Sequence, residues 1–205
     1  MNFLAHCLIP ELALASGHPD LIAGGFLGDF VKGGVAVDLP PDLANGIRLH
    51  RRLDAFSNQL PAIRVSCERF PAELRRFAPI FVDVIADHLL ARDWDRFHDE
   101  PLPGFSARAY TAIGAHLDRL PEGGRRFYEH ACRHDLFTRY RETETLHGSL
   151  ASIARRLDRT WLAAPAIDAL DASLPAFADD FERYFPELVA HAADWLAARG
   201  YSARG

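Results

Sequence analysis

Apolar residues recur at spacings of three and four along most of this chain, whereas strict alternation of apolar and polar residues is almost absent. The first spacing matches one face of an α-helix, and alternation would indicate a half-buried strand. The strongest segment is residues 78–94, APIFVDVIADHLLARDW, which is apolar apart from a few charged residues and one histidine. Such a segment is typical of a helix that is buried on most sides. The pattern therefore predicts an all-α fold with this helix at its centre.

Prolines and glycines set the expected boundaries of the other helices. The expected elements are a first helix over 2–16 that ends at Gly17, a second over 19–30, a third from Pro40-Pro41 to before Pro61, a loop over 99–104, helical stretches over 107–120, 125–141 and 146–161, and a last helix after Pro186. The chain has 205 residues and no spacer, repeat or change of composition. We expect one helical bundle domain over 1–205.

Composition and charge exclude several classes of protein. Apolar residues make up 49% and charged residues 25%, which is typical of a globular domain. The net charge of −5 argues against binding of nucleic acid by the whole chain. No apolar run approaches the roughly 18–20 residues of a membrane-spanning helix. The apolar N-terminus has no basic residue before Lys32, unlike a secretory signal. Three widely separated cysteines suit a reducing compartment, so we expect a cytoplasmic protein.

Two acids lie within the apolar central segment. Asp83 and Asp87 are four residues apart and therefore share one helix face, with His88 next to them. A carboxylate buried among apolar side chains costs several kcal/mol unless a partner compensates it. A divalent metal ion is one such partner, and arginines or helix ends are another. The spacing alone favours neither.

A second pair with the same spacing lies on the expected third helix. His50 and Asp54 are four residues apart, so an imidazole and a carboxylate converge on one face. Arg51 and Arg52 lie between them and form either a surface charge pair or a phosphate contact. Taken alone, a pair of this kind occurs often on solvated helix faces, so it is a weak signal.

Further polar residues lie in apolar surroundings in the first two helices. His6 alone is more typical of a satisfied core histidine than of a ligand, and Asp29 follows a glycine-rich turn. Considered together, seven residues within the first 88 predict a site for Mn²⁺, Fe²⁺ or Zn²⁺, because these ions accept mixed histidine and carboxylate ligands. The seven are His6, Asp29, His50, Asp54, Asp83, Asp87 and His88. No GxSxG, P-loop or GxGxxG motif supports serine nucleophile or nucleotide-cradling chemistry.

Several blocks of sequence carry a resemblance to a known family. They are MNFLAH at the start, GGFLGDF followed by VKG, GIRLHRRLD, APIFVDVIADHLLARDW, and LFTRYR at 136–141. In order and spacing they resemble the acyl carrier protein phosphodiesterase family. The resemblance implies a helical bundle distantly similar to HD-type metal phosphohydrolases, with Mn²⁺ as the cofactor and Mg²⁺ or Fe²⁺ as alternatives. One departure is Gly25, where we expect the family often to have asparagine.

The resemblance also implies a reaction and roles for individual residues. The reaction is hydrolysis of the phosphodiester between 4′-phosphopantetheine and a serine of holo acyl carrier protein. Asp29, the aspartate of the GDF block, is implied to be catalytic or metal-linked, and His88 and Asp54 are further catalytic candidates. Arginines suit contacts with the phosphoryl oxygens. The candidates for these contacts are Arg51, Arg52, Arg139 and Arg141.

An acidic carrier protein requires a local basic surface on a chain that is itself net negative. Seven arginines and only three acids lie between residues 48 and 76. The residues expected to dock the partner are Arg48, Arg64, Arg69, Arg75 and Arg76. Two other functions remain open, namely a phosphohydrolase of the same helical type that acts on a nucleotide or small phosphoester, and a non-catalytic helical binding module.

Overall fold

A computed structural model describes residues 2–202, and this part of the chain contains ten α-helices and no strand. The all-α prediction is therefore confirmed. The helices are α1 (Phe3–Leu14), α2 (Pro19–Leu27), α3 (Pro41–Ser57), α4 (Pro61–Glu68), α5 (Ala78–Arg92), α6 (Leu102–Gly114), α7 (Glu122–His134), α8 (Leu136–Arg139), α9 (Thr143–Arg156) and α10 (Ala163–Ala197). Single 3₁₀ turns cover Ala72–Leu74, Trp94–Arg96, Leu117–Arg119 and Thr160–Leu162. None of the described helices combines the length and the apolar character needed to cross a membrane.

The apolar segment 78–94 forms the central helix, as its sequence predicts. Eleven of the 15 residues of α5 are buried. The helix packs against α1, α4, α9 and α10, so neighbours cover most of its surface. The apolar core around it is continuous from Leu4 in α1 to Leu196 in α10.

The expected start of the last helix after Pro186 is wrong, because α10 runs from 163 to 197 through two internal prolines. An internal proline removes a helix hydrogen bond and costs about 3 kcal/mol. Against this cost, α10 buries four aromatic side chains, each of which contributes roughly 2–3 kcal/mol. The four are Phe177, Phe181, Tyr184 and Phe185. Burial of this aromatic face outweighs the local preference to stop.

Other boundaries also differ from expectation. The first helix ends at Leu14, where Ala15 adopts a left-handed conformation with φ of 48°, rather than at Gly17. The second ends at Leu27, short of Phe30. The expected loop over 99–104 already becomes helical at Leu102, because a proline in the first turn of a helix loses no hydrogen bond. The stretch 125–141 is interrupted at Asp135, whose φ is 42°.

Two glycines bring α2 and α3 into direct backbone contact. A Cβ atom added to Gly24 would lie 2.6 Å from the Cα of Gly46, so neither position has room for a side chain. Gly25 is equally confined, because its Cβ would lie 2.3 Å from the carbonyl oxygen of His6 in α1. These close approaches hold α2 against both α1 and α3. Polar side chains of the three helices lie close together at this junction.

Candidate metal and catalytic site

Three of the predicted ligands converge between α1 and α3. His6, His50 and Asp54 each offer a ligand atom, and these atoms all lie within 4.8 Å of one another. His6 Nε2 is 3.0 Å from Oδ1 of Asp54, and His50 Nε2 is 3.3 Å from its Oδ2. The two imidazole rings pack closely, with centroids 3.9 Å apart and ring planes tilted by 34°. The i, i+4 pair on α3 therefore does share a face, and α1 supplies the third member.

The orientation of His50 is fixed from behind. Its Nδ1 donates a hydrogen bond of 2.9 Å to the backbone carbonyl of Gly25, so Nε2 is the nitrogen that faces the carboxylates. A backbone carbonyl behind a histidine is the usual arrangement for a metal ligand, because it fixes the tautomer and the ring plane. Gly28 packs directly against the ring, since a Cβ there would lie 2.2 Å from His50 Cγ. The GGFLGDF block thus makes both the acceptor and the space for this imidazole.

Among residues 2–202, the imidazole of His6 has a hydrogen-bond partner only at Nε2, which contacts Asp54. Its side chain is buried, and its Nδ1 has no hydrogen-bond partner in the described part of the chain. Burial, together with the neighbouring His50, lowers the pKa of His6 to about 3, so the ring is neutral. Burial by itself would raise the pKa of Asp54, but hydrogen bonds from His50 and His6 bring it below its usual value. A neutral imidazole beside a carboxylate is the protonation state that a divalent cation requires of such ligands.

Asp29 joins this cluster at the edge of a cavity of about 300 Å³. Its Oδ1 lies 3.9 Å from His50 Nε2, and 39% of its side chain is exposed. Burial raises the pKa of the Asp29 carboxyl despite the nearby imidazole. The residues that line the cavity are Gly28, Asp29, Val31, Lys32, Gly33, His50, Arg51 and Asp54.

The donor set fits a divalent metal ion. Two imidazoles and one carboxylate, with a second carboxylate next to them, form the mixed nitrogen and oxygen set that Mn²⁺, Fe²⁺ and Zn²⁺ accept. The carbonyl that orients His50 supplies the outer support such sites need. His6, His50, Asp54 and Asp29 are accordingly the residues that would hold the ion.

The candidates on α5 are placed elsewhere. Asp87 is completely buried, and its two oxygens accept the backbone N–H groups of Leu4 and Ala5, each at 2.9 Å. His88 is buried and donates from Nδ1 to the carbonyl of Tyr140 at 2.8 Å. Asp87 therefore caps the first turn of α1, which is one of the two structural alternatives that the sequence left open.

Neither Asp87 nor His88 belongs to the three-residue group or lines the cavity. Burial raises the pKa of Asp87 to about 7 and lowers that of His88. Asp83 is partly buried on the same helix and is near enough to help raise the pKa of Asp29. It also stands outside the three-residue group.

The four arginines predicted to bind phosphate divide between the cavity and other surfaces. Only Arg51 lines the cavity, and its guanidinium donates to the carbonyls of Val31 and Gly33, each at 2.7 Å. Arg52 donates instead to Nε2 of His191 on α10 at 3.0 Å. In the RYR element, Arg139 pairs with Glu142 and Arg141 is exposed. The structure therefore does not bring Arg52, Arg139 or Arg141 to the cavity wall.

The predicted docking arginines are exposed with one exception. Arg48, Arg64, Arg75 and Arg76 have exposed side chains. Arg69, by contrast, makes a two-pronged ion pair with the fully buried Asp180, at 2.7 and 3.0 Å. Its assignment to partner docking is corrected here, because its guanidinium compensates a buried carboxylate of α10.

Sequence reasoning missed the residues that shape the site rather than react in it. Lys32 lines the cavity, and Gly25 and Gly28 support His50. The signal for Lys32 was available, since it is the only lysine among 23 lysine and arginine residues. The glycines stood in a recognised block, but nothing in the sequence showed which side chain approaches them.

Comparison with known proteins gives a consistent result. The family model described as acyl carrier protein phosphodiesterase matches residues 1–188. Proteins with that name from Salmonella dublin, Salmonella newport and Salmonella heidelberg are each 34% identical to this chain over 194 residues. The alignments cover 94% of this chain and 98% of each relative. No solved structure matches, so the likeness to HD-type hydrolases stays an expectation.

Proposed function

This chain belongs to the acyl carrier protein phosphodiesterase family, and from that premise we propose that it removes 4′-phosphopantetheine from holo acyl carrier protein by hydrolysis. Membership confirms the resemblance carried by the sequence blocks and makes the chain a phosphodiesterase. The observation that supports the proposal most directly is the cluster of His6, His50 and Asp54 beside Asp29 at one cavity. This is the only group of predicted site residues that the structure assembles among residues 2–202.

We assign a divalent cation to this cluster, most simply Mn²⁺, with Mg²⁺ or Fe²⁺ as alternatives. Bound there, such an ion supplies a lowered pKa for water and offsets negative charge on the phosphoryl oxygens. The protein's own contribution is to keep His6 neutral through burial and to fix the His50 ring through the Gly25 carbonyl. The carboxylate of Asp54 contacts both imidazoles and fixes their positions relative to each other.

Asp29 is the residue we assign as the proton acceptor. Its side chain is 39% exposed and lines the cavity next to His50, and a partly exposed carboxylate is accessible to a water molecule. Asp54 is occupied by its contacts with both imidazoles, which leaves Asp29 for this role. In the balanced reaction the water oxygen bonds to phosphorus, and the bond from phosphorus to the serine oxygen breaks. Asp29 takes one proton of the water, the departing serine oxygen gains one from solvent, and Asp29 then releases its proton to solvent, so that one water is consumed and no net proton is left on the protein. The products are apo acyl carrier protein and 4′-phosphopantetheine.

The partner is met by the exposed arginines of the 48–76 region. Arg48 is exposed on α3, the helix whose buried side carries His50. The other exposed members are Arg64, Arg75 and Arg76. Because acyl carrier proteins are acidic, opposite charges steer the approach and orient the serine-linked arm.

The direct test incubates holo acyl carrier protein with the purified chain and Mn²⁺, and follows loss of the prosthetic group by mass spectrometry. We expect conversion to apo protein by the wild type, and at least about a hundredfold slower conversion by Asp29→Ala, His50→Ala and Asp54→Ala. Arg126→Gln, which changes an exposed ion pair with Glu122 on α7, serves as the control and keeps full activity.

Two results would reject the proposal. Hydrolysis of a nucleotide or small phosphoester with holo carrier protein left intact would show a phosphohydrolase with another substrate. No conversion of holo carrier protein, nucleotide or small phosphoester by the wild type, together with no bound metal by elemental analysis, would indicate a non-catalytic module.

A further inference from the structure

The loop that follows α2 forms one wall of the cavity. Residues 28–34 leave the helix at Leu27 and turn at Gly33, whose φ is 74°. Five of these seven residues line the cavity opposite His50 and Asp54. The side chain of Lys32 is exposed, and its Nζ donates to the backbone carbonyl of Asp29 at 2.7 Å. The ammonium group is thereby tethered beside the residue we assign as the proton acceptor.

Arg51 fixes the backbone on both sides of Lys32. One guanidinium nitrogen donates to the carbonyl of Val31, and the other donates to the carbonyl of Gly33. Because Arg51 follows His50 directly on α3, these two hydrogen bonds fix the position of the loop relative to the cluster of His6, His50 and Asp54. A lysine at position 51 has no fork of donors and cannot span both carbonyls.

Charge and unused donors single out Lys32. In the described part of the chain, Lys32 and Arg51 donate to backbone carbonyls and form no ion pair with a carboxylate. The ammonium group has three N–H donors, and one is used on the Asp29 carbonyl. Two donors and a full positive charge remain for a ligand. Arg51 uses one N–H of each terminal nitrogen on the loop, and these two bonds hold its guanidinium against the backbone on either side of Lys32.

We infer that Lys32 binds a non-bridging oxygen of the substrate's phosphate, and that Arg51 is a positioning residue which acts through Lys32. This inference rests on the proposed function, because it names the subsite for the phosphate of the phosphopantetheine arm. It moves direct phosphate contact from the arginines predicted from sequence to the single lysine of the chain. Lysine suits the position as a compact point charge on a flexible stem.

Binding of the product 4′-phosphopantetheine to the full-length protein, measured by titration calorimetry, tests the inference. Pantetheine, which lacks the phosphate, is the ligand control. We expect Lys32→Gln to weaken binding of 4′-phosphopantetheine about tenfold to a hundredfold, the range for losing a hydrogen bond to a charged group. Lys32→Arg should stay within about threefold of wild type, because it keeps the charge and the donors. Pantetheine should bind all variants equally.

Arg51→Gln distinguishes a positioning role from a direct contact. If Arg51 acts through Lys32, Arg51→Gln weakens binding in the wild type but adds little in the Lys32→Gln background, because the two changes are coupled. Independent, additive losses would overturn the positioning role. Melting temperatures within a few degrees of wild type confirm that each variant is folded, and Arg126→Gln is the matched control for loss of one exposed charge.

Failures of the inference and of the proposed function look different. Unchanged product affinity in Lys32→Gln, with the wild type still cleaving holo carrier protein, would overturn the inference alone. A wild type that binds 4′-phosphopantetheine through Lys32 but never cleaves holo carrier protein would remove the proposed reaction and retain the anion subsite.

Discussion

Replacing Gly28 by alanine should inactivate the enzyme through one steric contact. Gly28 ends α2 in an ordinary right-handed conformation, with φ of −53° and ψ of −35°, so alanine adopts this backbone without strain. Its Cβ would nevertheless lie 2.2 Å from Cγ and 2.5 Å from Cδ2 of His50. The change therefore tests whether the packing behind His50 matters, independently of backbone flexibility.

The size of the effect follows from the distance. Two carbon atoms pack at about 3.5–4.0 Å, so the ring or the end of α2 must move by roughly 1.3 Å or more. Overpacking of this kind costs about 1–3 kcal/mol of stability. For a chain of this size each kcal/mol corresponds to about 2–4 °C in melting temperature. Because a misplacement of about 1 Å at a catalytic centre lowers the rate about a hundredfold, kcat/KM should fall by that factor.

Gly148→Ala is the matched control. Gly148 lies inside α9, and apart from the adjoining residues and backbone of its own helix no atom of the described chain lies within 4 Å of a Cβ added there. Alanine should raise stability by about 0.5–1 kcal/mol, because glycine is the poorer helix former, and leave activity unchanged. The assay is release of 4′-phosphopantetheine at saturating Mn²⁺, with thermal melts of all three proteins. Wild-type kcat/KM in Gly28→Ala would refute the claim that His50 must occupy this position.

Three shorter predictions concern the metal, the ion pair and the docking surface. Addition of a chelator should lower the melting temperature of protein loaded with Mn²⁺ but not that of Asp54→Ala, because only a ligand bound to the native state stabilises it. Arg69→Gln should cost up to about 3 kcal/mol in urea unfolding, since it removes the two-pronged partner of the buried Asp180 and leaves that carboxylate with a hydrogen bond from Ser66 and a 3.8 Å ion pair with Arg183. Arg64→Gln should leave stability unchanged and raise KM for holo carrier protein. That KM should rise steeply between about 0.05 and 0.3 M NaCl, as expected for a surface of exposed arginines, and a flat salt profile would contradict it.

The parts of the fold that sequence predicts are those determined by local periodicity. The central helix and the shared face of His50 and Asp54 follow from the spacing of three and four residues. Periodicity says which side of a helix is apolar, but it does not say which helix will cover it. The continuation of α10 through Pro175 and Pro186 depends on aromatic burial against the rest of the core, and no local rule contains that contact.

The candidate site divides in the same way. His6, Asp29, His50 and Asp54 were all identified by residue type, yet Asp83, Asp87 and His88 had equal claims from the sequence. Tertiary contacts distinguish the two groups of residues. Asp87 faces the start of α1 and accepts hydrogen bonds from two backbone N–H groups that are 82 and 83 positions away along the chain. A buried acid near a histidine cluster is thus ambiguous until the helix ends around it are placed.

The assignment of Asp87 as the cap of α1 gives a prediction with a definite sign in pH. Burial raises the pKa of Asp87 to about 7 in the folded chain, against about 3.9 when unfolded. Between these values the native state holds a proton that the unfolded state has released. Stability from this group is therefore complete below about pH 4 and is lost as the pH rises through about 7, by up to roughly 1.4 kcal/mol per pH unit. Asparagine at 87 keeps a carbonyl oxygen for one N–H group but cannot titrate.

The stability of wild type relative to Asp87→Asn should therefore be greatest at about pH 4 and below, decrease between about pH 4 and pH 7, and stay constant at higher pH. Urea unfolding of both proteins at each pH, with a chelator present, measures this difference, and groups common to both cancel from it. Asp168→Asn, at an exposed position of α10, is the control for losing one carboxylate. The opposite trend, with wild type gaining on Asp87→Asn as the pH rises, would contradict the reasoning. It would show that the two N–H groups of α1 outweigh burial and keep Asp87 ionised across this range.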